Sequence, residues 1–210
     1  MNVTDYFMPY RRRCFFRPAG KNVSEMKLSD KSNKKEDIVE LTWKHLLKNG
    51  LSNSSIGELC RETGLSQSSL YHWFENKDEL WISAGKYGLS KVVDALFDYT
   101  FNHTDKIDEY FKCFLDEVDK FKLELRLAIQ ITTSPIYGER MRSKSRGFRV
   151  FYMKYAQRLI ESFGCTEIQA NVFIYTIISV VIDYVVWDDK DIAQMLLDNL
   201  HGRIISILDL

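Results

Sequence analysis

The chain has 210 residues, 45% of them apolar and 13% aromatic, and its 29 Lys and Arg residues balance 29 Asp and Glu residues. This composition excludes an intrinsically disordered chain and is typical of a folded protein with one sizeable core, or with a small module joined to a larger one. Only three prolines and ten glycines interrupt the sequence, so long helices are favoured over many short strands, and we predict an all-α fold.

The N-terminal segment is basic and shows no hydrophobic periodicity. Residues 1–35 carry nine Lys and Arg against three Asp and Glu, a net charge of +6, whereas residues 36–80 carry four against eight, a net charge of −4. We therefore interpret residues 1–31 as a flexible basic arm that precedes an acidic body. Met26 leaves open that the natural start lies downstream.

The first helix is predicted from residue 34 to about residue 48. Its apolar residues repeat at intervals of three and four, and Asn49-Gly50 can cap its C-terminus. The next element opens with Ser55, followed three residues later by Glu58. This is the spacing of a capping box, in which each side chain satisfies a backbone N–H group at a helix start. A short second helix is therefore predicted after Ser55.

Gly64 ends this second helix, and Ser66 can serve as the N-cap of a third one. Asn76 can cap a much longer fourth helix, which we expect to continue to about Phe101. Five further helices are expected near residues 105–118, 120–132, 136–163, 166–187 and 189–208.

The two short helices and the turn between them form the pattern of a helix-turn-helix, whose second helix enters the major groove of DNA. Leu70 and Phe74 lie four residues apart and should share an inward face. Tyr71 and His72 then point towards the groove, where a phenol and an imidazole can donate to phosphate oxygens. Gln67 lies at the N-terminal end of the helix and can pair with adenine.

At this point the sequence resembles a known family. The run SSIGELCRETGLSQSSLYHWFENKDEL, with IVELTWKHLLKNG upstream, resembles the N-terminal signature of the TetR family of bacterial transcriptional regulators over about residues 35–82. The resemblance places a phosphate-contacting Tyr on Tyr71 and a helix-four Lys on Lys77, and it places the base-reading positions on Gln67, Ser68 and His72. The residues predicted to bind DNA, from the residues and the resemblance together, are Ser55, Ser66, Gln67, Ser68, Ser69, Tyr71, His72 and Lys77.

The sequence departs from the family pattern at three positions. Trp73 stands where His or Tyr is more usual, which concerns phosphate contact. Thr42 stands where Ala is common and His45 where an apolar residue is expected, which concerns helix packing. The net negative charge of residues 36–80 also contrasts with the basic surface of most nucleic-acid-binding domains, so a protein-binding helix-turn-helix is an alternative.

The resemblance implies a helix-turn-helix DNA-binding domain at residues 32–80 and a larger helical domain at residues 81–210. The larger domain would dimerise through its last two helices, at about residues 166–208, and enclose a pocket for an unknown small-molecule effector. Independently, residues 172–187 are apolar nearly all round, as expected for a helix buried on two sides. Asp183 within them is either an interface residue paired with a cation or a pocket residue.

Several aromatic and Met residues of the larger domain could line a pocket for an apolar or aromatic ligand. Residues of this kind at helical spacing are also common in ordinary cores, so both interpretations stay open. The candidate ligand-binding residues are Phe111, Phe114, Tyr137, Met153 and Tyr175.

The sequence does not have the motifs expected of an enzyme, a metalloprotein or a membrane protein. It contains no GxSxG, P-loop or HExxH motif, and its four His and four Cys residues are too scattered for a metal site, so we predict no cofactor and no metal. Widely separated free cysteines fit the cytoplasm. The apolar run of residues 172–187 is shorter than the roughly 20 residues needed to cross a bilayer, so no membrane partner is expected.

These features predict a sequence-specific regulator of transcription that binds double-stranded operator DNA as a homodimer. The resemblance implies a repressor that a small-molecule ligand releases from the operator. The alternative is a DNA-binding protein without a small-molecule effector.

Overall fold

The structure, a computed structural model, describes residues 31–103, 105–143 and 146–208, and the side chains within 34–103, 105–142 and 155–203. Every element in these ranges is a helix, which confirms the predicted all-α fold. The predicted arm at residues 1–31 and the side chain of Met153 lie outside the described residues. The helices are α1 Lys31–Asn49, α2 Ile56–Thr63, α3 Gln67–Trp73, α4 Lys77–Phe101, α5 Ile107–Asp119, α6 Lys122–Thr133, α7 Gly138–Ser143, α8 Arg146–Phe163, α9 Glu167–Trp187 and α10 Lys190–Leu208.

The bounds of α2 follow from its caps. The hydroxyl of Ser55 accepts a hydrogen bond from the backbone N–H of Glu58 at 3.2 Å, as predicted. The reciprocal bond differs from the predicted capping box, because the Glu58 carboxylate accepts from the Ser55 hydroxyl at 2.9 Å. Gly64 ends the helix with φ of 70°, a left-handed conformation that favours glycine, and its N–H donates to the carbonyl of Cys60 at 2.9 Å.

The next two helices begin where the sequence predicts. Ser66 accepts from the backbone N–H of Ser69 at 3.1 Å, and Asn76 accepts from that of Glu79 at 3.0 Å. The prediction of a single helix at residues 136–163 is wrong, because the first helix of this range begins at Gly138 and a second one begins at Arg146. The Ser134 hydroxyl accepts from the backbone N–H of Ile136 at 3.2 Å in a turn, and the range contains α7 and α8.

The described side chains form three hydrophobic cores, and the first of them joins the helices α1, α2, α3 and α4 with α6 and α7. Leu70 and Phe74 are buried in it, so the inward face of α3 is the one predicted. Leu127, Ala128 and Ile131 of α6 belong to the same core. Through α1 and α4, the N-terminal helices therefore pack against the part of the chain that follows α4.

A second core joins α4, α5, α6, α9 and α10, and a third joins α4, α8 and α9. The helix α4 contributes to all three. Trp81 lies in the first core and Val92 in the second, and Phe97 packs against the third. Because α4 is continuous over 25 residues, it links the helix-turn-helix segment to the far end of the molecule.

The helix α9 is, within the described ranges, the one helix long and apolar enough to cross a membrane by length and composition alone. At 21 residues it exceeds the apolar run that the sequence suggested. Core helices of soluble proteins meet the same criterion, and α9 buries Ile174, Val181 and Val185 against its neighbours. Its composition is therefore weak evidence for a membrane span.

Candidate nucleic-acid interface

The helix α3 has one buried side and one exposed polar side. Leu70 points into the first core, whereas Gln67 and His72 are exposed and Tyr71 is 48% exposed. The imidazole of His72 lies edge-on to the ring of Trp73, with the ring centroids 5.1 Å apart. As the sequence indicates, the ring of Phe74 thus lies inside the core and that of Tyr71 lies outside it.

The serine hydroxyls at the start of α3 are engaged with one another. The Ser66 hydroxyl lies 2.9 Å from that of Ser68 and accepts the backbone N–H of Ser69. Ser69 itself is half-buried. Gln67 and Tyr71 therefore present the longest exposed polar side chains on this face, while the three serines mainly shape the helix start.

Ser55 holds the start of α2 in a similar way. Its hydroxyl donates to the Glu58 carboxylate and accepts the Glu58 N–H. Both roles of a hydroxyl are then occupied within the cap. A contact between this hydroxyl and a DNA phosphate requires the bond to Glu58 to open.

Lys77 is half-buried, and its position limits its predicted contact with phosphate. Its ammonium group donates to the backbone carbonyl of Ser54 at 3.3 Å and lies 5.2 Å from the ring centroid of Trp81. The lysine thus ties the start of α4 to the connection between α1 and α2. Within this structure it positions α2, and contact with DNA stays a prediction.

Sequence reasoning missed the role of Glu62, which links α2 to α1. Its carboxylate lies 2.7 Å from Nδ1 of His45 and accepts from Nζ of Lys48 at 3.0 Å. These hydrogen bonds, with that of His45 the strongest influence, lower the pKa of Glu62 to about 2. The signal in the sequence was His45, a polar residue at a position where an apolar one is expected.

The acidic residues of this region are largely engaged, which bears on its net charge of −4. Glu79 accepts the backbone N–H of Glu75 at 2.6 Å. Asp78 lies 3.7 Å from Arg140 of α7, and Glu40 pairs with Lys44 at 2.7 Å. Carboxylates that serve as caps and ion-pair partners repel DNA less than the same number of isolated charges.

Four of the five candidate ligand-binding residues have described side chains, and these four do not lie together. Phe111 and Phe114 are buried in the second core, and Tyr137 is buried in the first. Tyr175 is 52% exposed on α9. Among the side chains that the structure describes, these residues do not surround a common cavity. A close aromatic contact lies elsewhere, where the rings of Phe97 and Tyr155 stack with centroids 3.6 Å apart.

Exposed apolar side chains concentrate on α9 and α10. On α9, the first five are separated by four, three, seven and four residues, which places them on a single face of the helix, and Trp187 follows at its end. Asp183 is half-buried on the same helix. We call this set the apolar stripe: Ile168, Val172, Tyr175, Ile182, Val186, Trp187, Ile192, Met195 and Leu196.

No group of three or more His, Cys, Asp or Glu residues with metal-binding geometry occurs within the described residues.

A capped short helix, a turn at Gly64 and a second short helix with an exposed polar face define a helix-turn-helix protein. The sequence model of the tetR family of bacterial regulatory proteins matches residues 38–84, from α1 into α4. Over these residues the chain has the helix-turn-helix domain of the TetR family. This match agrees with the resemblance that the sequence shows over about residues 35–82.

One relative is the HTH-type transcriptional regulator PksA of Bacillus subtilis (strain 168), which is 35% identical over 69 residues. That match spans 33% of this chain and 34% of the relative, about a third of each.

Two solved structures share the fold. A transcriptional regulator from Rhodococcus sp. Rha1 superposes with a TM-score of 0.54 at 17% identity, over 82% of this chain and 96% of that one. A TetR transcription regulator from Haloarcula marismortui ATCC 43049 gives a TM-score of 0.50 at 20% identity, over 85% and 97%.

Proposed function

We propose that the protein regulates transcription by binding operator DNA through α3. The observation that carries this proposal is the exposed polar face of α3, held by a capped start and a buried opposite face in a TetR-type segment. In this assignment residues 32–80 form the DNA-binding domain and residues 81–210 the regulatory domain.

The proposed contacts divide into base reading and phosphate binding. Gln67 pairs with a base edge in the major groove, since its amide can donate and accept at once. Tyr71 and His72 donate to phosphates and fix the position of α3 in the groove. Because the domain is acidic, these few aimed donors supply the affinity together with the basic arm at residues 1–31.

The homodimer is proposed to form through residues 166–208. The apolar stripe supports this, because a contiguous exposed apolar surface on a monomer marks an interaction site. A seven-residue helix contacts too few bases for useful specificity, and a two-fold dimer doubles the site that is read.

Release of a repressor by a small molecule is the finer part of the proposal, and α4 supports it. A ligand that shifts the far end of α4 also changes the position of α3, since one continuous helix contributes to all three cores. The second candidate is a regulator without a small-molecule effector. The separation of Phe111, Tyr137 and Tyr175 among the described residues favours this candidate. In either case the protein acts in the cytoplasm.

The test is selection of DNA by the purified full chain from a pool of random duplexes. Recovery of a near-palindromic sequence supports the proposal, and the sequence then serves as the operator in further work. Retention of duplexes with no shared sequence would overturn it. Apolar and aromatic compounds can afterwards be screened for release of that duplex, and failure of all of them favours the candidate without an effector.

A further inference from the structure

His45 differs from the other buried polar side chains in the described part of the chain. Thr42 donates to the carbonyl of Ile38 and Ser54 to that of Gly50, so both are satisfied within their own local segment. The side chain of His45 is only 1% exposed, and it bonds to a different helix. It contacts Glu62 of α2 at 2.7 Å.

The geometry defines how the imidazole is used. A carboxylate only accepts hydrogen bonds, so the contact with Glu62 requires the proton on Nδ1 of His45. The other ring nitrogen, Nε2, is buried and has no hydrogen-bond partner among the described residues. A buried polar atom without a partner lowers stability, so His45 is a costly choice for a core position.

Glu62, near the end of α2, contacts several side chains at the end of α1. Besides His45, Lys48 donates to its carboxylate at 3.0 Å, and the amide of Asn49 lies 3.3 Å from Oε1. All three partners lie in the last turns of α1. Glu62 itself is followed after one residue by Gly64, where the turn into α3 begins. The contact therefore acts at the point that sets the direction of α3.

We propose that His45 and Glu62 are positioning residues that fix the end of α2 on α1, and through the turn at Gly64 hold α3 in the orientation that discriminates operator from other DNA. The pair thus fixes the orientation of α3, while the buried Nε2 atom of His45 lowers the stability of the fold. Exchange of a buried polar pair for apolar residues is often neutral or stabilising, which allows the two effects to be separated. The part that concerns DNA rests on the proposed function.

The experiment compares His45→Leu, Glu62→Ala and the double variant with Thr42→Val, which removes a buried polar group that bonds only within α1. The first measurement is amide hydrogen exchange of the full chain without DNA. Both single variants should exchange about tenfold faster at residues 59–74, with residues 107–119 unchanged and with a thermal midpoint that does not fall in His45→Leu. The double variant should exchange no faster than either single variant, because the two residues act through one another.

The second measurement is the ratio of affinities for the selected duplex and for a scrambled one. This ratio should fall about tenfold in both single variants and stay constant in Thr42→Val. The ratio is used because removal of the Glu62 charge affects both duplexes equally.

Unchanged exchange at residues 59–74 in both single variants would overturn the positioning role whether or not DNA is bound. Exchange that changes while the affinity ratio does not would limit the pair to a structural role and overturn the proposal as stated. A wild-type protein without sequence preference would instead refute the proposed function, and the exchange measurement would still decide whether the pair holds α2.

Discussion

The indole ring of Trp43 in α1 lies directly against the backbone of Gly88 in α4. A Cβ atom placed on Gly88 would meet Cε2 of the ring at 2.1 Å, far inside any contact distance. Trp43 is buried in the first core, so the ring has little room to move. Next to this contact, the Tyr87 hydroxyl donates to Glu40 at 2.7 Å. The absence of a side chain at residue 88 thus lets α1 pack against α4.

We predict that Gly88→Ala destabilises the protein. Alanine is a better helix former than glycine by about 1 kcal/mol, which favours the variant. Overpacking of a rigid buried site typically costs about 1–3 kcal/mol. Because the clash is with a buried aromatic ring, we expect the cost of overpacking to exceed the gain in helix propensity. The free energy of unfolding in urea measures the outcome. Operator binding should weaken as well, because α1 carries the helix-turn-helix segment.

Gly57→Ala is the matched control. Gly57 also lies in a helix, but a Cβ atom there has nothing within 4 Å. The variant should be neutral or more stable by up to about 1 kcal/mol. Equal stability of Gly88→Ala and Gly57→Ala would show that α1 and α4 pack differently from the structure.

A second prediction separates base reading from phosphate contact on α3. Gln67→Ala should cost about 1–3 kcal/mol at one base pair of the selected duplex and relax the preference there. Tyr71→Phe removes one exposed hydroxyl and should weaken binding to selected and scrambled duplexes alike. Fluorescence anisotropy with single-base variants of the duplex distinguishes these outcomes. An unchanged base preference in Gln67→Ala would refute its assignment.

The helical framework could be predicted because its signals are local. The side chains of Ser66 and Asn76 cap the starts of their helices, and Gly64 ends a helix because glycine readily adopts the left-handed conformation. Leu70 and Phe74 are buried as their spacing requires. Such features depend on residues that are neighbours in the chain.

Relationships between distant residues could not be predicted in the same way. The packing of Trp43 on Gly88 and the bond between His45 and Glu62 depend on how helices cross, which periodicity does not specify. Tyr137 lies in a different core from Phe111 for the same reason. Aromatic composition predicted the burial of Phe111 and Tyr137, but it predicted neither the exposure of Tyr175 nor which residues share a core.

A third prediction concerns the apolar stripe. Val172 is 58% exposed, so a charge there leaves the monomer intact but must be desolvated in a dimer interface. Val172→Glu should therefore shift the protein to monomers in sedimentation velocity while circular dichroism stays unchanged.

Ile136→Glu serves as the control for this prediction, since Ile136 is 65% exposed but lies outside the stripe. It should leave the oligomeric state unchanged. If the wild type is a monomer at micromolar concentration, the stripe has another role. Binding of the wild type to lipid vesicles, lost in Val172→Glu, would then favour a membrane surface.

The last prediction concerns how the stability of the fold depends on pH through the Glu62 carboxyl. The hydrogen bonds from His45 and Lys48 lower the pKa of this carboxyl from 4.5 to about 2. Since its pKa is lower in the folded state, the folded state binds the proton less tightly, and the ionised form stabilises the fold above about pH 4.5. This contribution is lost as the pH falls from about 4.5 towards 2.

Glu62→Gln keeps the shape of the side chain but cannot titrate, so its stability should lack this dependence. The difference in free energy of unfolding between wild type and Glu62→Gln should be largest near neutral pH and shrink at about pH 3, as measured by urea denaturation at several pH values. The other carboxyl groups titrate equally in both proteins and cancel in the difference. A difference that stays constant between about pH 7 and 3 would mean that Glu62 is not held by His45 and Lys48 in solution, because a carboxylate with those donors cannot titrate at its unfolded value.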